Sequence, residues 1–231
     1  MDPRKLFADK RFTGLCVYCG AEPDTWDHVP SKVLLDEPFP ADLPVVPACQ
    51  GCNNRFSVDE QYLACLVECA ITGSTDPDSV RRSKVKRILR ENPVLAARLA
   101  ASRRADEPGN VSWKPEVDCV RNVVLKLARG HAAYEYSEPQ LGEPQCVSFI
   151  PTGVMSRQQC SSFETLSTER VWPEIGSRAF LRAAAVGDEA FLEEGSWAVL
   201  QEGRYRYAVS HSVQIVVRFV LSEYLACEVI W

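Results

Sequence analysis

In this 231-residue sequence, the residues best suited to chemistry include two closely spaced pairs of cysteines. Cys16 and Cys19 form one CxxC pair, Cys49 and Cys52 form the other, and 29 residues separate the pairs. Each CxxC pair can direct two thiolates at one point, and four thiolates complete the tetrahedral site that structural zinc prefers. The spacing therefore predicts a zinc site that holds a hairpin against a following helix.

Three further polar residues accompany the cysteines: Asp27 and His28 between the pairs, and Asn53 directly after the second pair. A carboxylate and an amide oxygen are hard donors that suit Mg²⁺ or Mn²⁺. An imidazole is the usual base for deprotonating a water near neutral pH. Together the three residues predict metal-dependent hydrolysis of a phosphodiester, in which the ion stabilises charge on the phosphate and His28 activates the water.

This segment resembles the HNH endonuclease family in its zinc-containing ββα-metal, or treble-clef, form. The residues that carry the resemblance are the two CxxC pairs, the Asp27-His28 dipeptide, the apolar stretch from Leu43 to Ala48, and Asn53. The resemblance implies that Asp27 and Asn53 bind the catalytic ion and that His28 is the general base. Asn54 replaces Asn53 as the ligand if the register differs by one residue. The resemblance covers residues 16–60, about a fifth of the chain.

A purely structural zinc knuckle explains the same four cysteines. Asp27 and His28 would then be loop residues that bond to the backbone. Two other functions therefore stay open beside the endonuclease. One is a non-catalytic, zinc-dependent nucleic-acid-binding protein. The other is an effector that acts only with a protein partner or ligand, with the C-terminal region as its docking surface.

Basic residues are concentrated in one segment, although the whole chain has a net charge of −5. Residues 76–130 contain 13 Lys and Arg against 7 Asp and Glu. Phosphate contacts depend on local rather than total charge, so this segment predicts a nucleic-acid contact, with DNA the expected partner. A solvated helix face is the alternative. The candidate contact residues are Arg81, Arg82, Lys84, Lys86 and Arg87.

The hydrophobic pattern predicts an α+β fold. We expect an HNH module with structural zinc in residues 1–72, then a helical basic segment and an α+β region with an antiparallel sheet in residues 73–231. Helices are expected over residues 53–71, 79–90 and 94–102 and from Pro115, and strands over residues 197–201, 205–209, 213–221 and 224–230.

Three local patterns give more specific expectations. Four prolines within residues 36–47 predict an irregular loop. His131 is expected to be a core or helix-end residue rather than a catalyst. The alternation of Arg204, Tyr205, Arg206 and Tyr207 predicts a strand with one wet face, or a surface on which bases stack.

The sequence predicts a cytoplasmic protein without a membrane partner. No apolar run approaches the ~20 residues that a membrane-spanning helix needs, and residues 1–12 lack the apolar region of a signal peptide. A reducing compartment favours metal-bound over disulfide-bonded cysteines.

Overall fold

The computed structural model describes residues 14–107, 110–166, 173–181 and 197–231. In these ranges the chain has the predicted α+β fold, with a small hairpin and helix near the cysteines and a C-terminal five-stranded antiparallel sheet. The helices are α1 (Gln50–Thr72), α2 (Ser83–Glu91), α3 (Pro93–Ser102), α4 (Val117–Tyr136) and α5 (Arg157–Glu164). The strands are β1 (Thr25–His28), β2 (Val45–Ala48), β3 (Arg103–Glu107), β4 (Asn110–Trp113), β5 (Cys146–Pro151), β6 (Ala198–Gln201), β7 (Tyr205–His211), β8 (Ile215–Leu221) and β9 (Leu225–Ile230).

The chain divides into two compact units. The first comprises the chain up to Arg55 together with Val124–Trp231, and the second comprises Phe56–Val123. Both long helices, α1 and α4, pass from one unit into the other. The HNH module expected over residues 1–72 stays a prediction, and its first 13 residues lie outside the described part of the chain.

The first unit begins with the knuckle of the first CxxC pair. The N–H of Gly20 donates to the carbonyl of Cys16 at 2.8 Å, and Gly20 has a φ of +75°, which glycine adopts without strain. The N–H of Val17 donates to the carbonyl of Pro47 at 3.1 Å, which fastens the knuckle to β2.

β1 and β2 pair antiparallel, with Thr25 opposite Ala48 and His28 opposite Val45. The loop expected over residues 36–47 therefore ends earlier than predicted, because β2 includes Pro47. A proline lacks a backbone N–H and is tolerated where that group would point away from the ladder. The carbonyl of Pro47, which points to the same side as its nitrogen, bonds to the knuckle rather than to β1.

Helix α1 begins at Gln50, inside the second CxxC segment and three residues before the predicted start. The N–H of Gln50 donates to Oδ1 of Asp24 at 2.6 Å, so an aspartate just before β1 caps the helix. Further along α1, Glu68 is buried, and its Oε1 accepts the N–H groups of Arg81 and Arg82. The carboxylate therefore anchors the segment that leads into α2.

The second unit contains the basic helix and a hairpin that the sequence did not predict. The side chain of Asn92 caps α3 by accepting the N–H of Leu95 at 3.0 Å, as the Asn-Pro pattern predicts. β3 follows α3 directly and pairs antiparallel with β4.

The C-terminal sheet has the strand order β5-β9-β8-β7-β6, with every neighbouring pair antiparallel. Tyr205 and Tyr207 of β7 are buried. His131 of α4 stacks on Tyr207 with ring centroids 3.8 Å apart, and its Nε2 lies 2.6 Å from the hydroxyl of Tyr205. Of the two positions expected for His131, the core and a helix end, the structure shows the core.

The β1–β2 hairpin and the C-terminal sheet are joined within the first unit. The segment after β1 reaches the sheet through Asp36, whose backbone N–H and carbonyl both bond to the side chain of Gln201. Nε of Arg204 lies 2.8 Å from the carboxylate of Asp36. The C-terminal sheet therefore buttresses the segment that holds the candidate site.

Candidate metal centre and its surroundings

The four predicted zinc ligands lie together. The Sγ atoms of Cys16, Cys19, Cys49 and Cys52 are all within 4.8 Å of one another. Sγ of Cys19 lies 3.7 Å from Sγ of Cys49. A tetrahedral zinc with bonds of about 2.3 Å places its sulfur ligands about 3.8 Å apart. The donor set and the spacing therefore fit a structural zinc ion.

The environments of the four thiols differ. Cys16 and Cys52 are buried, whereas Cys19 is exposed. Hydrogen bonds from the backbone and side chain of Cys52 lower the pKa of Cys49 to about 7. Burial is the main cause that raises the pKa of Cys16 and of Cys52. A coordinated metal removes the proton from such thiols, so zinc would stabilise this cluster as four thiolates.

Asp27 is the most enclosed of the predicted catalytic residues. Its Oδ2 lies 2.7 Å from the ammonium group of Lys126 and accepts a hydrogen bond from the hydroxyl of Tyr18 at 2.8 Å. Nζ of Lys126 also lies 2.8 Å from Oγ of Ser31. Both contacts to Asp27 use Oδ2, and in the described part of the chain Oδ1 has no hydrogen-bond partner. One carboxylate oxygen therefore remains for a ligand.

His28 ends β1 and is half-buried. Burial is the main cause that lowers the pKa of His28, and the positive charge of Lys32 lowers it further. The lowered pKa keeps the imidazole neutral at pH 7, which is the form that can accept a proton from water.

Asn53 lies in the first turn of α1, and its backbone N–H donates to the carbonyl of Cys49 at 3.0 Å. Its side chain is half-buried, whereas the side chain of Asn54 is exposed. Asp24, the residue before β1, is joined to the start of α1 because its Oδ1 accepts the N–H of Gln50. Asp27 and His28 thus belong to β1, and Asn53 belongs to the helix that Asp24 caps.

Lys126 is the residue of this centre that the sequence analysis missed. It lies in α4, 99 positions after Asp27, and its side chain is only 1 % exposed. The only sequence signal is a lysine within the apolar run from Val123 to Ala128. Such a lysine needs a buried partner, but the sequence does not indicate which one.

The candidate DNA-contacting residues lie in and just before α2, in the second unit. Arg81 and Arg87 are exposed, Lys84 and Lys86 are half-exposed, and Arg82 is buried. Val85 and Leu89 form the buried side of α2. The helix therefore has one apolar and one basic face, which is compatible with both the phosphate-contact and the solvated-face interpretations.

The arginines of the C-terminal sheet are paired with carboxylates, and the tyrosines that alternate with them are buried. Arg206 bonds to Glu164 and Glu223, and Arg218 bonds to Glu228. Tyr205 and Tyr207 are 0 % and 1 % exposed, so no base can stack on them. The alternation of Arg and Tyr is explained by a strand with one buried face.

Comparisons with known proteins identify no family for this chain: no family model, no curated protein and no solved structure matches it. The geometry of the residues is therefore the basis for assigning a function. In the described part of the chain, no helix combines the length and the apolar character that are needed to cross a membrane.

Proposed function

We propose that this protein is a metal-dependent endonuclease of the HNH kind, which hydrolyses phosphodiester bonds of nucleic acid, with DNA as the expected substrate. The observation that carries the proposal is the order of the elements around the cysteine cluster. A knuckle with two cysteines precedes β1, β2 leads into the second pair, and α1 begins within that pair. His28 ends β1, and Asn53 lies in the first turn of α1.

In this proposal Asp27 and Asn53 hold a Mg²⁺ or Mn²⁺ ion through oxygen donors. The bound ion would stabilise negative charge on the scissile phosphate and on the leaving oxygen. His28 accepts the proton of the attacking water at a ring nitrogen, and its lowered pKa supports this role near neutral pH. The resemblance to the HNH family implies products with a 5′-phosphate and a 3′-hydroxyl.

A non-catalytic, zinc-dependent nucleic-acid-binding protein is the second candidate. The ion pair between Asp27 and Lys126 favours it, because the lysine neutralises the charge of the carboxylate that the nuclease needs as a metal ligand. The two candidates differ in one respect that can be measured. The binding protein retains nucleic acid without cutting it, with or without added Mg²⁺.

The test is the incubation of zinc-loaded protein with supercoiled plasmid, with and without Mg²⁺ or Mn²⁺. The divalent ion should be omitted rather than chelated, because a chelator also removes zinc. We expect nicking only with the ion, loss of nicking in Asp27→Asn and Asn53→Ala, and retention of nicking in the control Asn54→Ala. Sealing of the nicks by DNA ligase would establish the expected termini. Binding of plasmid without nicking under all conditions would favour the second candidate.

A further inference from the structure

The charge at Asp27 is balanced by a buried lysine. The side chains of Lys126 and Asp27 are 1 % and 8 % exposed, and their charged atoms lie 2.7 Å apart. The ammonium group is also bonded to Ser31 and lies 5.8 Å from the ring centroid of Tyr18. These contacts hold the ammonium group beside Asp27 instead of letting it extend into water.

This balance has a consequence for cation binding. The affinity of an oxygen-ligand site for a divalent cation depends on the negative charge that its ligands supply. Asn53 contributes no charge, and Lys126 cancels the charge of Asp27. Lys32, in the 3-10 turn after β1, adds a further positive charge near this end of the strand. A divalent ion that approaches Oδ1 of Asp27 is therefore repelled by a nearby ammonium group.

We propose that Lys126 makes binding of the divalent ion at Asp27 depend on nucleic acid, because the phosphodiester supplies the negative charge that Lys126 has cancelled. This inference rests on the proposed nuclease site and concerns its regulation. In the free protein the ion binds weakly. When a phosphate oxygen enters the site, phosphate and carboxylate hold the ion together. Lys126 acts through Asp27 and is a positioning residue.

The direct test is Mn²⁺ binding to the zinc-loaded full chain without nucleic acid, measured from the loss of the free-ion signal in electron paramagnetic resonance. Lys126→Met removes the charge and the hydrogen-bond donors. Lys126→Gln removes the charge and keeps a donor for Asp27 or Ser31. We expect both variants to bind Mn²⁺ at least about tenfold more tightly than the wild type, which corresponds to about 1.4 kcal/mol. A residue with only a structural role would weaken or not change Mn²⁺ binding when it is removed.

Arg129→Met is the matched control. Arg129 lies in the same helix and also has a long basic side chain, but it bonds to the carbonyls of Leu141 and Gly142 rather than to Asp27. Its removal should leave Mn²⁺ affinity unchanged. Circular dichroism and zinc content establish that each variant is folded. If Lys126→Met does not fold, Lys126→Gln gives the decisive comparison.

A second measurement needs no change at Lys126. In a His28→Ala chain, which is expected not to cut DNA, a short duplex should tighten Mn²⁺ binding at least about tenfold after correction for the ions that the duplex binds alone. Unchanged or weaker Mn²⁺ binding in folded Lys126→Gln, or no effect of the duplex, would overturn the inference. Failure of the nuclease proposal would be recognised separately, as tight Mn²⁺ binding by Lys126→Gln without cutting by the wild type.

Discussion

Gly130 of α4 lies directly against Val29, the residue that follows β1. A Cβ atom on Gly130 would lie 2.6 Å from Cγ2 of Val29, closer than real Cβ contacts come. The neighbour is a short, branched and fully buried side chain, so it has little freedom to move. This close approach brings α4 up to the end of β1, where Asp27 and His28 lie.

Gly130→Ala should therefore destabilise the protein by about 1–3 kcal/mol, the usual cost of overpacking a core. The free energy of unfolding, measured by urea denaturation, would test this. Gly153→Ala is the control, because a Cβ there meets nothing within 4 Å. Combining Gly130→Ala with Val29→Ala should cost less than the sum of the two single changes. Strict additivity would contradict the contact.

The cysteine cluster predicts that zinc and folding are coupled. Cys49→Ser should lower the zinc content and the melting temperature, because a small module that is organised around a metal loses stability when a ligand is removed. Cys146→Ser is the matched control, since Cys146 is exposed and lies outside the cluster. A Cys49→Ser protein with one bound zinc and unchanged melting would exclude the four-cysteine site.

The burial of His131 predicts that the free energy of unfolding decreases at acid pH. Burial lowers the pKa of His131 to about 3, whereas an unfolded histidine has a pKa of about 6.5. The unfolded state therefore binds the proton more tightly, and the free energy of unfolding should fall as the pH drops below 6.5. The expected contribution is about 1.4 kcal/mol per pH unit.

His131→Gln should remove this contribution and flatten the dependence of stability on pH between 7 and 5. Gln is chosen because it can still bond to the hydroxyl of Tyr205, the partner of His131. Urea denaturation at each pH gives the comparison, with His211→Gln as the histidine control. If the curves of wild type and His131→Gln run parallel, His131 does not control the acid sensitivity.

The basic face of α2 predicts a salt-dependent contribution to DNA binding. Arg81→Gln combined with Arg87→Gln should weaken binding and reduce the salt slope by about one for each phosphate that the variant no longer neutralises. Arg90→Gln is the control, because Arg90 already pairs with Asp78. Fluorescence anisotropy over a range of salt concentrations gives both quantities. Equal effects of the double variant and the control would favour the solvated-face interpretation.

Local patterns predicted those parts of the molecule that depend on nearby residues. The spacing of the CxxC pairs predicted the cysteine cluster, and alternation predicted β6, β7, β8 and β9 of the C-terminal sheet to within a few residues, but not β5. Asn92-Pro93 predicted the start of α3, because a cap depends on three or four residues of sequence.

Contacts over long sequence distances were not predictable. Lys126 pairs with Asp27 across 99 positions, and no local pattern indicates that pairing. Glu60 and Glu68 of α1 are buried, and their charge alone does not indicate that a carboxylate finds buried partners. The hairpin of β3 and β4 was not predicted, since its strands are short and polar.

The central claim is tested most directly by the rate of plasmid nicking at saturating Mn²⁺ for the wild type, His28→Ala and His211→Ala, with DNA affinity measured in parallel. His211 is a suitable control because it lies at the end of β7 and packs edge-on against Tyr136 of α4. We predict that His28→Ala binds DNA like the wild type but nicks it at least about 100-fold more slowly, the lower range for loss of a general base, and that His211→Ala nicks normally. Equal nicking by wild type and His28→Ala, or no nicking by any folded, zinc-loaded form, would contradict the assignment.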